Sequence, residues 1–298
     1  TDFVKHLASN VSDPKAKAWI DYAFGGENED IKFSAEPEKA YPVKDLKPTQ
    51  NFIGLENSIG WTVRNPDKAG DGLKKMLLEK YPEMKPGSAI WIFNGEFIID
   101  GHHRWSQVYA FNPDAKIVAI NFKCNQKLKP QQALAAVQGV IASVVGKVPL
   151  ATSKVDGKEK TASNVLKDSE DTMLKAAQAC LNESPKKDEF MILCESIGGS
   201  KSAEDRERRS SRSGFDGDDS DAAKVLTYAV RNCLKLKSGN NAVQGAPDRE
   251  YMPQTDGGKG ADKSVPSQVQ AKLTTGVDDI VTKVENRLPR GIRKKYIG

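Results

Sequence analysis

Apolar and polar positions along this 298-residue chain change period several times, and each change marks a predicted element. Ser12 or Asp13, then Pro14, then Ala16, Trp19, Ile20 and Ala23 before Gly25-Gly26 predict a short docking helix. Residues 26 to 40 are polar and acidic without a period and read as a linker or surface arm. Tyr41, Val43 and Leu46 predict a short strand closed by Pro48. Leu73, Met76, Leu77 and Tyr81 predict a helix over 71–81, capped by Asp71 and ended by Pro82. The sharpest signal follows: Ala89 to Phe93, then Asn94-Gly95, then Glu96 to Asp100 predict two strands joined by a type I′ turn. That hairpin runs into Gly101-His102-His103-Arg104-Trp105-Ser106-Gln107-Val108, a glycine turn opening a helix, and Lys116 to Phe122 predict the next strand.

Beyond residue 123 the period is helical. Leu134, Val137, Ile141, Val144 and Val148 step by three and four, as do Met173, Ala177 and Cys180; Ala222, Leu226, Ala229 and Cys233; and Leu273, Val277, Ile280, Val284 and Leu288. Four such stripes must be buried against something. Between them, residues 199 to 221 pair an Arg-rich half (Arg206, Arg208, Arg209, Arg212) with an Asp-rich half (Asp216, Asp218, Asp219, Asp221), and residues 238 to 264 are rich in Gly, Asn, Asp and Pro. Both read as long loops or disorder, which suits a chain that wraps around protein partners in a larger assembly. The organisation read from the sequence is an arm at 1–40, a domain at 41–123, a helical region at 124–198, a charged linker at 199–221 and a helical region with a basic tail at 222–298.

Bulk composition narrows the function classes only modestly. A hydrophobic share of 38% against 29% charged residues is that of a soluble protein with a large solvated fraction. No apolar run approaches the roughly 18 to 20 residues of a membrane span, and no secretory signal opens the chain, so an intracellular or virion setting without membrane is expected. Cys124, Cys180, Cys194 and Cys233 are widely spaced, which suggests neither a zinc site nor a disulfide framework. The net charge of +5 is diluted by 40 acidic residues, so a nucleic-acid role must rest on local patches. One such patch is Arg287, Arg290, Arg293, Lys294 and Lys295, which reads either as a phosphate-tracking surface or as a solvated tail.

The chemistry concentrates at residues 100 to 105. A glycine between strand and helix permits close backbone approach, and the helix N-terminus offers amide N–H groups and a favourable dipole to an anion. His102, His103 and Arg104 stand on that turn, and Arg104 brings a bidentate fork. The alternative is that the histidines cap the helix or pack beside Trp105. Asp100-Gly101-His102-His103-Arg104-Trp105, with its hairpin before and helix after, is similar to the G-x-x-R and G-C-H-R motifs of the ParB/sulfiredoxin superfamily, and the likeness extends over about residues 41–123, including Tyr41-Pro42-Val43-Lys44-Asp45-Leu46. The resemblance implies an α+β fold: a small mixed-sheet domain after an N-terminal helix, followed by an extended, mostly α-helical C-terminal region. It also implies phosphate or nucleotide binding by Gly101, His102, His103 and Arg104. His102 stands where the sulfiredoxin cysteine nucleophile would be, so sulfinic-acid reduction is excluded. A chromosome-partition role is not expected, because no tight helix-turn-helix follows.

Other members of the superfamily are nucleases or small-molecule kinases, whose chemistry needs carboxylates. Asp100, Glu96 and Glu56 are the candidates near the turn, with His103 as a further catalytic candidate; Asp100 also reads as a turn cap and Glu96 as a solvated hairpin residue. The cofactor this allows is a nucleotide or a divalent metal, and no residue set for a metal is legible. Gly257 to Ser264 lack the spacing of a phosphate loop, and Asp216 to Asp221 lack the glycine and closing glutamate of a calcium loop. The resemblance is to phage-encoded members, so the expectation is a phosphate-, nucleotide- or DNA-binding protein of a bacteriophage particle or its DNA. The alternatives are a structural particle component that has lost ligand handling and a phosphoester hydrolase.

Overall fold

Nine residues, Lys116–Cys124, form the strand around which the sheet is built. In this computed structural model the described residues are 33–124, 154–155, 158–159, 163–198 and 213–238. The sheet strands are β1 (Phe33–Ala35), β2 (Lys39–Pro42), β3 (Lys47–Pro48), β4 (Glu83–Met84), β5 (Ile90–Phe93), β6 (Phe97–Asp100) and β7 (Lys116–Cys124). Six described α-helices accompany them: α1 (Ile59–Arg64), α2 (Pro66–Leu78), α3 (His102–Phe111), α4 (Glu170–Asn182), α5 (Lys187–Gly198) and α6 (Asp221–Ser238). A separate ribbon pairs β8 (Lys154–Val155) with β9 (Lys158–Glu159).

The main sheet runs β1-β7-β5-β6-β3, with β2 and β4 also on β7. β1 and β2 lie antiparallel along one side of β7, and β4 and β5 lie parallel along the other. β5 and β6 form the predicted antiparallel hairpin, and its turn residues Asn94 and Gly95 have φ of 52° and 73°. Positive φ at both positions is what a type I′ turn requires. The fold is therefore α+β with one mixed sheet.

The sequence placed several boundaries elsewhere. The helix expected over 71–81 is Pro66–Leu78, with Asn65 before it and the exposed Asp71 inside it. Pro66 presets the first turn, and Ala69, Leu73, Met76 and Leu77 share its buried face, so the pattern begins earlier than the predicted cap. Tyr81 lies beyond the helix and is exposed. The strand expected from Tyr41 breaks at Pro42 into a 3-10 turn over Val43–Asp45, and Pro48 lies within the edge strand β3, where its missing N–H is tolerated. Residues 33 to 40, read as part of an arm, supply β1 and the start of β2. The stripes at 16–23, 134–148 and 273–288, the Arg-rich half of the charged linker and the C-terminal basic cluster lie outside the described residues.

The helical stripes at 173–180 and 222–233 are buried as their spacing requires. Met173, Ala177 and Cys180 of α4, and Ala222, Leu226, Ala229 and Cys233 of α6, join one core cluster with Ile90, Ile92, Ile98, Ile117 and Ala119 of the sheet and Trp105 of α3. Trp105 is wholly buried, and its Nε1–H donates to the Val43 carbonyl at 2.8 Å. The Asp-rich run forms the approach to α6: Asp218 Oδ1 accepts from Ser220 N–H at 2.9 Å, Asp219 pairs with Lys224, and Asp221 begins the helix, where acidic groups favour the dipole.

Candidate functional site

The edge strand β3 and strand β6 run parallel, so their carboxyl ends open at the same place, and the Gly101 turn lies there. Gly101 has φ 95° and ψ 22°, a left-handed conformation that directs the chain from β6 into α3. A Cβ at this position would stand 2.4 Å from Ile90 Cγ2, so both backbone and space require glycine. The first intrahelical bond is Trp105 N–H to Gly101 O at 2.9 Å. The amides at the start of α3 thus lie at the strand ends, where the helix dipole favours negative charge.

Arg104 faces this turn. Its Nη2 donates to Asp100 Oδ2 at 3.0 Å, and its Nη1 donates to the Ser88 carbonyl at 2.6 Å and to Ser88 Oγ. These contacts use three of the five N–H donors of a guanidinium. Asp100, the last residue of β6, is thereby a partner of Arg104 in the first turn of α3. Its two neighbours on the turn differ from the expectation that the histidines converge with Arg104 on one anion. His102 is buried, and its Nε2 accepts the Thr49 N–H at 3.1 Å. That bond requires an unprotonated Nε2, so His102 fastens the exit of β3 to α3 and brings no positive charge to the turn. His103 is half-buried, and its carbonyl accepts from Ser106 Oγ at 3.1 Å.

The two other carboxylate candidates separate. Glu96 is half-buried at the hairpin, paired with Lys47, and β6 at about 3.3 Å per residue puts it about 16 Å from Gly101. It belongs to the hairpin surface. Glu56 belongs to a polar lattice that the sequence reading did not find. Its Oε1 accepts the Ser163 N–H at 3.1 Å and its carbonyl accepts from Arg64 Nη2 at 2.5 Å, while its Oε2 is buried and accepts no hydrogen bond from a described residue. Thr49 Oγ1 donates to the Ile98 carbonyl at 2.5 Å, and the Ser58 and Ser106 hydroxyls meet at 2.8 Å, tying both ends of the segment 49–58 to β6 and α3.

Residues 163–168 brace that segment from behind. Leu55 N–H donates to the Ser163 carbonyl at 2.8 Å and Val165 N–H to the Ile53 carbonyl at 3.0 Å. Asn164 accepts from Ile53 N–H and donates to the Asn51 carbonyl, so one side chain closes two backbone groups of the loop. The only local signal for this lattice was the polar run Thr49-Gln50-Asn51 after a strand; its partners lie about fifty residues away in β6 and α3 and more than a hundred away at Ser163 and Asn164, and leave no periodic trace.

Beside Glu56, Cys180 of α4 lies against Gly60, whose added Cβ would be 2.8 Å from the sulfur. Burial first, and the nearby Glu56 carboxylate second, push its thiol up to about 11, which makes it a poor nucleophile. Among the described residues no three His, Cys, Asp or Glu side chains gather as metal ligands would, whereas the α3 N-terminus and Arg104 suit a phosphate.

Comparison with protein-family models, with curated proteins and with solved structures found no match. Among the described residues no helix is long and apolar enough to cross a membrane.

Proposed function

We propose that this chain is a ParB/sulfiredoxin-like protein that holds the phosphate of a nucleotide or nucleic-acid backbone at the Gly101–Arg104 turn, in a bacteriophage particle or on phage DNA. The observation that carries this reading is the left-handed Gly101, which sets an α-helix N-terminus at the carboxyl ends of two parallel strands with a guanidinium beside it. Strand ends of this kind are where open α/β sheets bind ligands. Gly101, the first-turn amides and Arg104 are the binding groups; His102 supports them from within.

A second reading, a structural particle component without ligand handling, is favoured by one observation: Arg104 and His102 are already engaged inside the fold. Thermal melting of the full chain with ATP, CTP, ADP and short DNA separates the two. Binding predicts that at least one ligand, near a hundred times its dissociation constant, stabilises the protein by about 2.7 kcal/mol, and that Arg104→Ala abolishes the shift. Four unchanged melting temperatures would establish the structural reading instead.

A further inference from the structure

His102 is a buried titratable group at the Gly101 turn whose ring is turned to the protein rather than to the cradle. It is 5% exposed, and its Nε2 is met by the Thr49 amide at 3.1 Å and by Thr49 Oγ1 at 3.5 Å. The one hydroxyl hydrogen of Thr49 goes to the Ile98 carbonyl at 2.5 Å, and an amide N–H can only donate. Nε2 is therefore an acceptor, and the proton of the neutral ring lies on Nδ1. Pro48 has no N–H, so Thr49 supplies the first amide beyond β3, and its bond to His102 ties the exit of that strand to the first residue of α3.

A proton on Nε2 breaks this tie, because two donors then face each other, and the positive end of the α3 dipole opposes the new charge. An anion on the same turn acts in the opposite sense and favours the imidazolium. The charged groups on the elements around His102 are otherwise committed. Lys47 of β3 pairs with Glu96, Arg104 of α3 pairs with Asp100 of β6, and β5 carries no charge. Glu56 of the segment 49–58 accepts from Ser163, and Arg64 of α1 donates to the Glu56 carbonyl. The remaining neighbour that titrates is the His103 imidazole on the same turn.

We propose that His102 is a proton-linked latch on the phosphate site: with the turn empty it is neutral and holds Thr49, and a bound phosphate dianion draws a proton from solvent onto Nε2 and releases the exit of β3. The inference rests on the reading of the turn as a phosphate cradle. Linkage is reciprocal, so the proton strengthens anion binding by the factor by which the anion strengthens proton binding. Anion affinity then rises as pH falls through the histidine range, and the positive charge expected of His102 from the sequence arrives with the ligand. A phosphate's own second ionisation works the other way, since the ligand loses charge as pH falls.

Sulfate, which keeps both its charges wherever histidine titrates, isolates the effect of the protein. Ring-nitrogen NMR of the full chain carrying isotope-labelled histidine reads the protonation state directly, and the chain has three histidines to assign. In the sulfate-free protein at about pH 7, Nε2 of His102 is expected as an unprotonated acceptor. Saturating sulfate is expected to protonate it and to speed hydrogen exchange at the Thr49 amide, and sulfate affinity is expected to rise about tenfold between about pH 8 and about pH 5.5. His102→Gln keeps a side-chain acceptor for Thr49 but cannot take up a proton, so its sulfate affinity should be level with pH, while the pH response should survive His103→Gln. A ring that stays unprotonated with sulfate bound, or a pH response that disappears with His103, overturns the latch. Sulfate bound equally well at both pH values overturns the latch and leaves the phosphate cradle standing, whereas no binding at any pH overturns both. The ring-nitrogen spectra, taken on the unaltered chain, decide the matter even where His102→Gln does not fold.

Discussion

Arg104 and His102 stand two residues apart on one helical turn and serve different ends. Arg104 holds Asp100 and Ser88 at the rim, whereas His102 reaches inward to the Thr49 amide. Glu56 contrasts with both, because one oxygen is fixed by Ser163 and the other is buried with no donor among the described residues. A buried acceptor without a partner costs about 1 to 3 kcal/mol, and more when charged. Glu56→Gln keeps the Ser163 contact and removes the charge. Urea unfolding of the ligand-free protein should therefore show a gain of about 1 kcal/mol. A loss of stability in the free protein would mean that Oε2 is already satisfied.

At the scale of elements, α6 is the test of how the helices beyond residue 160 relate to the sheet. Its Asn232 is buried and donates to the Ala110 carbonyl at 2.8 Å, in the last turn of α3, where carbonyls lack helical partners. Asn232→Ala should lower unfolding free energy by about 1 to 3 kcal/mol, with one urea transition seen alike by tryptophan fluorescence and by far-UV circular dichroism. Two separate transitions would make α6 an independent unit. The hairpin and the Gly101 turn were legible in the sequence because Asn94-Gly95 and Gly101 are local demands of positive φ. The α4 and α6 stripes were legible because their period is local too. The start of α2 was obscured because Pro66 sets it before the apolar run becomes regular. The bond from the Thr49 amide to His102 was not legible, because Thr49 is brought to it only by the parallel pairing of β3 with β6.

Across the whole molecule three thiols lie on three different helices, Cys180 on α4, Cys194 on α5 and Cys233 on α6, and all three are buried. Burial raises Cys180 from an ordinary value of 9.0 to about 11 and Cys233 to about 12, and it raises Tyr109 of α3 in the same sense. Above pH 9 the unfolded chain gives up protons that the folded chain retains, so the unfolded state binds fewer and stability falls as pH rises. The contribution is complete below about pH 9 and is lost progressively toward about pH 11 for Cys180 and about 12 for Cys233. The urea midpoint should accordingly be level from pH 7 to 8 and decline from pH 9 upward. Cys180→Ala with Cys233→Ala lowers the baseline by opening small gaps but makes the alkaline decline shallower, since those two protons no longer differ between states. A decline as steep in the double variant as in the parent would show that these thiols titrate alike in both states, and hence that α4 and α6 do not stay docked on the α3 side of the sheet in solution.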